Sequence, residues 1–153
     1  MGKAKFLFLL GLLSAMTFSF SACSKDDDDT IGSEGDLVGT WESVAYYYQY
    51  KENGKVIEEE READNTVRLK FNADGTCEYL EKSQDEWQTE LEGTWIYKGG
   101  KLFIKNAGSS QAELGNVKEL TSTKLVIEVF DKWKDDGVTC EEIAIDEYRK
   151  ISK

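Results

Sequence analysis

From Val38 onward the chain alternates apolar and polar residues with a period of two, the spacing of a half-buried strand. The stretch Val38–Tyr50 is rich in aromatic and β-branched residues, and Asn53-Gly54 follows it as a hairpin turn signal. Val56 and Ile57 begin a return strand. Glu58–Asp64 fits either an exposed strand end or one helical turn. Val67, Leu69 and Phe71 alternate with Arg68 and Lys70, so one face of that strand is wet. Asp74-Gly75 turns the chain, and Cys77 and Tyr79 take the inner face of the next strand, since the other parity would bury a carboxylate. Trp87, Leu91, Trp95 and Tyr97 share one parity through a long strand with Gly93 as its bend. Gly99-Gly100 leads to Leu102 and Ile104. Ser109–Gly115 suits a single capped helical turn. Val117 with Leu120, then Leu125, Ile127 and Val129, then Ile143 and Ile145 mark three more strands.

This makes eight to nine closely spaced strands and no stretch that fits a crossover helix. Short links favour antiparallel neighbours. The expected fold is therefore all-β, an antiparallel up-and-down β-barrel of about eight strands, because closure removes exposed sheet edges. Such a barrel either fills its interior with side chains or holds one small ligand.

The first 22 residues follow another pattern. Lys3 and Lys5 precede an apolar run from Phe6 to Phe20, and Ser21 and Ala22 are small. This is the layout of a secretory signal peptide; Ser14, Thr17 and Ser19 dilute it below the roughly 20 apolar residues of a membrane span. Phe20-Ser21-Ala22-Cys23 resembles the lipobox of bacterial lipoproteins. The resemblance implies a lipidated Cys23, anchored to a membrane by several acyl chains. Ser24-Lys25-Asp26-Asp27-Asp28-Asp29 resembles the export tag of Bacteroidetes surface lipoproteins, which implies an outer-membrane lipoprotein facing the medium. Residues 23–36 are expected to form an acidic, flexible tether, and 37–153 the folded domain.

Composition narrows the chemistry. The chain has 19 basic and 30 acidic residues and no histidine or proline. Cleavage after Ala22 removes Lys3 and Lys5, leaving 17 basic against 30 acidic residues, a net of −13. That field disfavours nucleic acid. Without histidine the commonest general base and metal ligand are missing. No spacing of acids singles out a catalytic pair or a metal site, so the expectation is a non-enzyme, a monomer, with no cofactor or metal. Cys77 and Cys140 either pair as a disulfide or stay as buried thiols.

Gly39-Thr40-Trp41 on the first strand is similar to the Gly-x-Trp signature of lipocalins. Phe71–Thr76, Gly93-Thr94-Trp95 and Leu102-Phe103-Ile104 extend the resemblance to the lipocalin-like domains of Bacteroidetes lipoproteins over Leu37 to Ile151. It implies a barrel floor built from Gly39 and Trp41, with Arg149 stacked on the Trp41 ring. Trp41, Tyr47, Trp87, Trp95 and Tyr97 are expected to point inward, Tyr47, Trp87, Trp95 and Tyr97 as the lining of a site for a small apolar or amphipathic ligand. Tyr46, Tyr48 and Tyr50 are expected on the opposite face. The alternative is a filled barrel on an accessory lipoprotein that meets a protein or glycan partner.

Overall fold

The structure, a computed structural model, describes residues 31–153. The signal segment, Cys23 and the acidic run from Ser24 to Asp29 lie outside the described residues. Nine strands follow one short helix. The helix α1 spans Glu34–Leu37. The strands are β1 (Gly39–Glu52), β2 (Lys55–Ala63), β3 (Val67–Phe71), β4 (Thr76–Ser83), β5 (Glu86–Lys98), β6 (Lys101–Asn106), β7 (Glu113–Leu120), β8 (Lys124–Asp135) and β9 (Val138–Ser152).

Every strand pairs antiparallel with its neighbour, and β1 pairs with β9 to close the ring. The barrel has eight strands plus one. β3 occupies one edge of β1 at its start (Gly39–Glu42), and β2 occupies the same edge higher up (Ala45–Glu52). Tight turns serve this topology: Asn53, Gly54, Asp136 and Gly137 all take positive φ, as a two-residue hairpin demands.

One end is plugged. Trp41 and Leu37 are wholly buried, and the Trp41 indole N–H donates to the Leu37 carbonyl at 2.8 Å. Gly39 has φ +132°, and a Cβ there would collide with the Ser152 carbonyl, so only glycine fits this corner. Above the plug lies a dense apolar layer of Leu69, Phe71, Trp95, Leu102, Val117, Leu120, Leu125 and Tyr148. Phe71 meets Trp95 edge to face at 5.4 Å.

Two expectations about the chain's course are corrected here. Residues 32–36, expected as part of the flexible tether, are hydrogen-bonded in place. The Ser33 N–H and hydroxyl both donate to Asp36 Oδ2 at 2.8 Å, Gly32 N–H donates to the Leu120 carbonyl at 3.3 Å, and Lys150 Nζ donates to the Asp36 carbonyl at 2.6 Å. The physical reason is Leu37, which needs a covered place and draws the capped turn before it onto the barrel floor. The helical turn expected over Ser109–Gly115 is also not formed. β7 begins at Glu113, and the Ser109 hydroxyl instead holds a local turn by accepting from the Gln111 N–H at 3.2 Å.

Candidate functional site

The end opposite the plug is bounded by the hairpins at Asn53-Gly54, Gln84-Asp85 and Asp136-Gly137 and by the 107–112 link. Which side chains look into it depends on two irregularities. In β1 the register against β9 slips between Ser43 and Ala45. An extra residue in one strand reverses the facing of everything beyond it. Trp41 and Ser43 face inward, yet past the bulge Tyr46, Tyr48 and Tyr50 face inward as well. Tyr46 lies opposite Asp146, on the same side of β9 as buried Tyr148. Tyr47 therefore faces outward, where the Arg61 guanidinium sits 4.4 Å from its ring centroid.

β5 does the same. Its register against β4 slips between Tyr79 and Leu80, so that Glu90 is the extra residue. Leu91, Trp95 and Tyr97 face inward as expected. Trp87 lies opposite Lys82 on the outer face, under the Arg68 guanidinium at 3.9 Å. Of the four expected lining residues, Trp95 and Tyr97 thus point in, and Tyr47 and Trp87 point out. Trp95 is committed to the core, its indole N–H donating to the Asn72 carbonyl at 3.0 Å.

The Arg149 expectation is likewise corrected. Lys150 lies opposite Trp41 in the ladder, with its Nζ 4.8 Å from the ring centroid; burial lowers its pKa. Strand alternation sends Arg149 to the other face. There its guanidinium meets Glu42 at 2.6 Å, while Arg68 meets the second Glu42 oxygen at 2.7 Å. Glu42 is only 7% exposed although it faces outward, and the Arg149 and Arg68 hydrogen bonds hold its carboxyl below the usual range. The cysteine question resolves to two free, buried thiols. Cys77 sits on β4, where burial pushes its pKa up to about 11. Cys140 sits on β9, 3.3 Å from the Tyr50 hydroxyl.

Directly opposed residues in an antiparallel ladder share a face. Across β2, β1, β9 and β8 the inner face is laid out in rows. The deepest is Glu62, Tyr46, Asp146, Ile127. Above it come Glu60, Tyr48, Ala144, Val129, then Glu58, Tyr50, Glu142, Asp131. The last, at the hairpin turns, is Lys55, Glu52, Cys140, Trp133. Tyr46 and Tyr48 stack with centroids 6.4 Å apart, and Tyr50 stacks on Trp133 at 6.1 Å. These rings are half-buried, in contrast to the sealed floor. The Tyr50 hydroxyl donates to Glu52 Oε1 at 3.1 Å, and the Tyr79 hydroxyl donates to Glu81 Oε1 at 2.8 Å.

The acids leave a clear electrostatic mark. Burial raises the pKa of Tyr46, Tyr48, Tyr79 and Tyr148; Asp146 adds to it at Tyr46, Tyr79 and Tyr148, and Glu142 at Tyr48. Asp146 itself is pushed up to about 7 by burial first and by Asp64 second. No group of three acids or thiols among the described residues is arranged to hold a metal ion. A separate depression of about 600 Å³ lies on the flank, lined among others by Glu78, Glu92, Thr94 and Lys105, and includes none of the aromatic residues above.

A family model for a lipocalin-like domain matches residues 37–127, from the plug into the start of β8. The chain belongs to the lipocalin-like domain family. Two solved structures share the fold. One is a lipocalin-like protein from Bacteroides uniformis ATCC 8492, with 18% identity and a TM-score of 0.53. The other is an uncharacterized protein from Bacteroides eggerthii DSM 20697, with 17% identity and a TM-score of 0.52. Each match covers 76% of this chain and 100% of the other. No curated protein matches the chain. A lipocalin-like barrel has the architecture of a binding protein.

Proposed function

We propose that this protein is a non-enzymatic, lipid-anchored binding protein of the outer membrane, displayed at the cell surface, whose barrel receives a small amphipathic ligand. One observation carries the binding reading. The aromatic residues at the open end, Tyr46, Tyr48, Tyr50 and Trp133, are turned inward yet only half-buried, so core packing does not use them up. Rigid, half-exposed rings with polar tips suit a ligand that is partly apolar. The anchor reading rests on the lipobox ending in Cys23 and on the acidic run after it.

Native mass spectrometry of the protein purified from its own envelope tests the binding reading. A mass excess that leaves on denaturation supports it; equal native and denatured masses in every preparation would oppose it. Mass spectrometry of the N-terminal peptide tests the anchor: acyl chains on Cys23 are expected, and an unmodified cysteine ends that claim. Protease added to intact cells tests display: the barrel should be shaved from the surface, and full protection would place it inside the envelope.

A second reading, an accessory lipoprotein that meets a protein partner, draws on the outer face. Phe130 is 49% exposed there, on the same side as Ile143 and Ile145.

A further inference from the structure

The depression on the flank is built from the outer face of β4, β5 and β6. Cys77 and Trp95 turn inward there, so their strand neighbours turn out. Its volume of about 600 Å³ is that of a small-ligand site. The strand registers lay its floor in two rows. Thr76, Thr94 and Lys105 form one, and Glu78 and Glu92 the other. The 107–109 turn forms the rim. It is tied to β5 by the Ala107 N–H, which donates to the Glu92 carbonyl at 2.8 Å, and closed by the Ser109 N–H, which donates to the Asn106 carbonyl at 3.0 Å.

The lining is electrically balanced, in a chain whose net charge is −11. Lys70 neutralises Glu78 at 3.0 Å. That leaves one carboxylate, Glu92, and one ammonium, Lys105, on the same face. The two do not pair with each other. Neither they nor the Thr94 hydroxyl has a side-chain partner among the described residues. One recess thus presents a free acceptor, a free donor and a hydroxyl that is both. One row further along β5 and β6 lies an apolar ledge, Ile96 opposite Phe103. Ile96 is 65% exposed, the most of any large apolar residue among the described residues. Water serves the polar groups well, but the ledge gains from being covered.

We propose that this recess binds a neutral sugar, one hexopyranose unit, with its hydroxyls at Glu92, Thr94 and Lys105 and a C–H face of its ring against Ile96 and Phe103. A sugar hydroxyl both donates and accepts, which matches a carboxylate set beside an ammonium and a hydroxyl. A ligand with net charge gains at Glu92 or Lys105 what it loses at the other, so neutrality is favoured. The ledge adds the burial of apolar area. A metal ion is not served, since no three acids among the described residues are set to hold one. The site stands apart from the barrel's open end and goes beyond the binding reading above without resting on it.

Amide chemical-shift titration of the full chain with D-glucose, D-galactose and D-mannose tests it. At least one hexose is expected to bind saturably, in the millimolar range, with shifts centred on Glu92–Ile96 and Phe103–Ser109. The uronic acid and the 2-amino sugar that match the preferred hexose should each bind at least about threefold more weakly. Glu92→Gln should weaken the hexose about tenfold and Ile96→Thr about threefold. Both residues are exposed, so neither variant should move the urea midpoint. No saturable shift with any of the three at about 100 mM would overturn the proposal. So would an affinity unmoved by both variants, or a charged relative that binds more tightly than its hexose. Sugar shifts centred on Tyr46–Tyr50 would overturn the flank site and leave the barrel reading standing.

Discussion

Replacing Asp146 by asparagine should make the barrel's stability less sensitive to pH in the neutral range. An aspartate titrates near 3.8 in the unfolded chain, and at about 7 in this barrel. The folded protein therefore holds a proton between those values that the unfolded chain releases. Stability falls as pH rises through that window and is flat above it, the opposite of the usual salt-bridged carboxylate. At about 1.4 kcal/mol per unit the full window amounts to about 4 kcal/mol. Asp146 keeps some contact with solvent, so about 2–4 kcal/mol is the expected range. Asp36, Glu42, Asp74 and Glu141 have lowered values and act with the opposite sign, through a lower window. Comparing variant with natural protein cancels them. Urea unfolding followed by tryptophan fluorescence at pH 5, 6, 7 and 8 is the assay. The Asp146→Asn variant should gain on the natural protein by about 1–3 kcal/mol between pH 5 and pH 8, since only about two pH units of the window lie in that range. In a domain of this size that is roughly 4–12 °C in melting temperature. A difference that is constant across the range, or that shrinks as pH rises, would refute the buried-acid reasoning.

Three further outcomes follow from the barrel's construction. Trp41→Ala should cost about 3–5 kcal/mol, since the ring is wholly buried and plugs the floor; an unchanged urea midpoint would remove that role. Gly93→Ala should cost about 1–3 kcal/mol, because a Cβ there would run into the Lys105 carbonyl; a variant that melts with the natural protein would mean that β6 can give way. Arg68→Ala should cost about 1–3 kcal/mol and Arg149→Ala less than about 1 kcal/mol, although both touch Glu42. Arg68 is stacked on Trp87 and 27% exposed, whereas Arg149 is 65% exposed, and equal losses in paired unfolding curves would contradict that ranking.

The strands were legible because each carries its own local evidence. Val67, Leu69 and Phe71 alternate cleanly, and Asn53-Gly54 and Asp74-Gly75 mark turns where Asn53, Gly54 and Gly75 take positive φ. The closed antiparallel barrel followed from those links. The site was legible only where alternation ran unbroken, as for Trp95 and Tyr97. Tyr47 and Trp87 were misplaced because the residues that flip them, at the Ser43–Ala45 slip and at Glu90, announce themselves by neither glycine nor proline. A bulge is a property of two paired strands, and a single strand's pattern does not contain its partner's register. One clue was present: Val44, Tyr46, Tyr48 and Tyr50 continue one parity past Trp41 on the other, so β1 has two apolar faces in succession. The floor shows a similar limit. The sequence pattern asks for a cation on Trp41 near the chain's end, but choosing Lys150 over Arg149 takes the β1–β9 register. Ser33 and Asp36 before Leu37 did form a readable helix-start signal, and it places the start of the folded barrel before residue 37.

The most direct test of the binding reading is an amide chemical-shift map of the protein titrated with 1-octanol, a small amphipathic probe. Shifts should concentrate at Tyr46–Tyr50 on β1 and at Cys140–Asp146 on β9, leaving the plug around Trp41 still. Shifts centred instead on the flank near Thr94 and Lys105, or none at saturating octanol, would contradict the site.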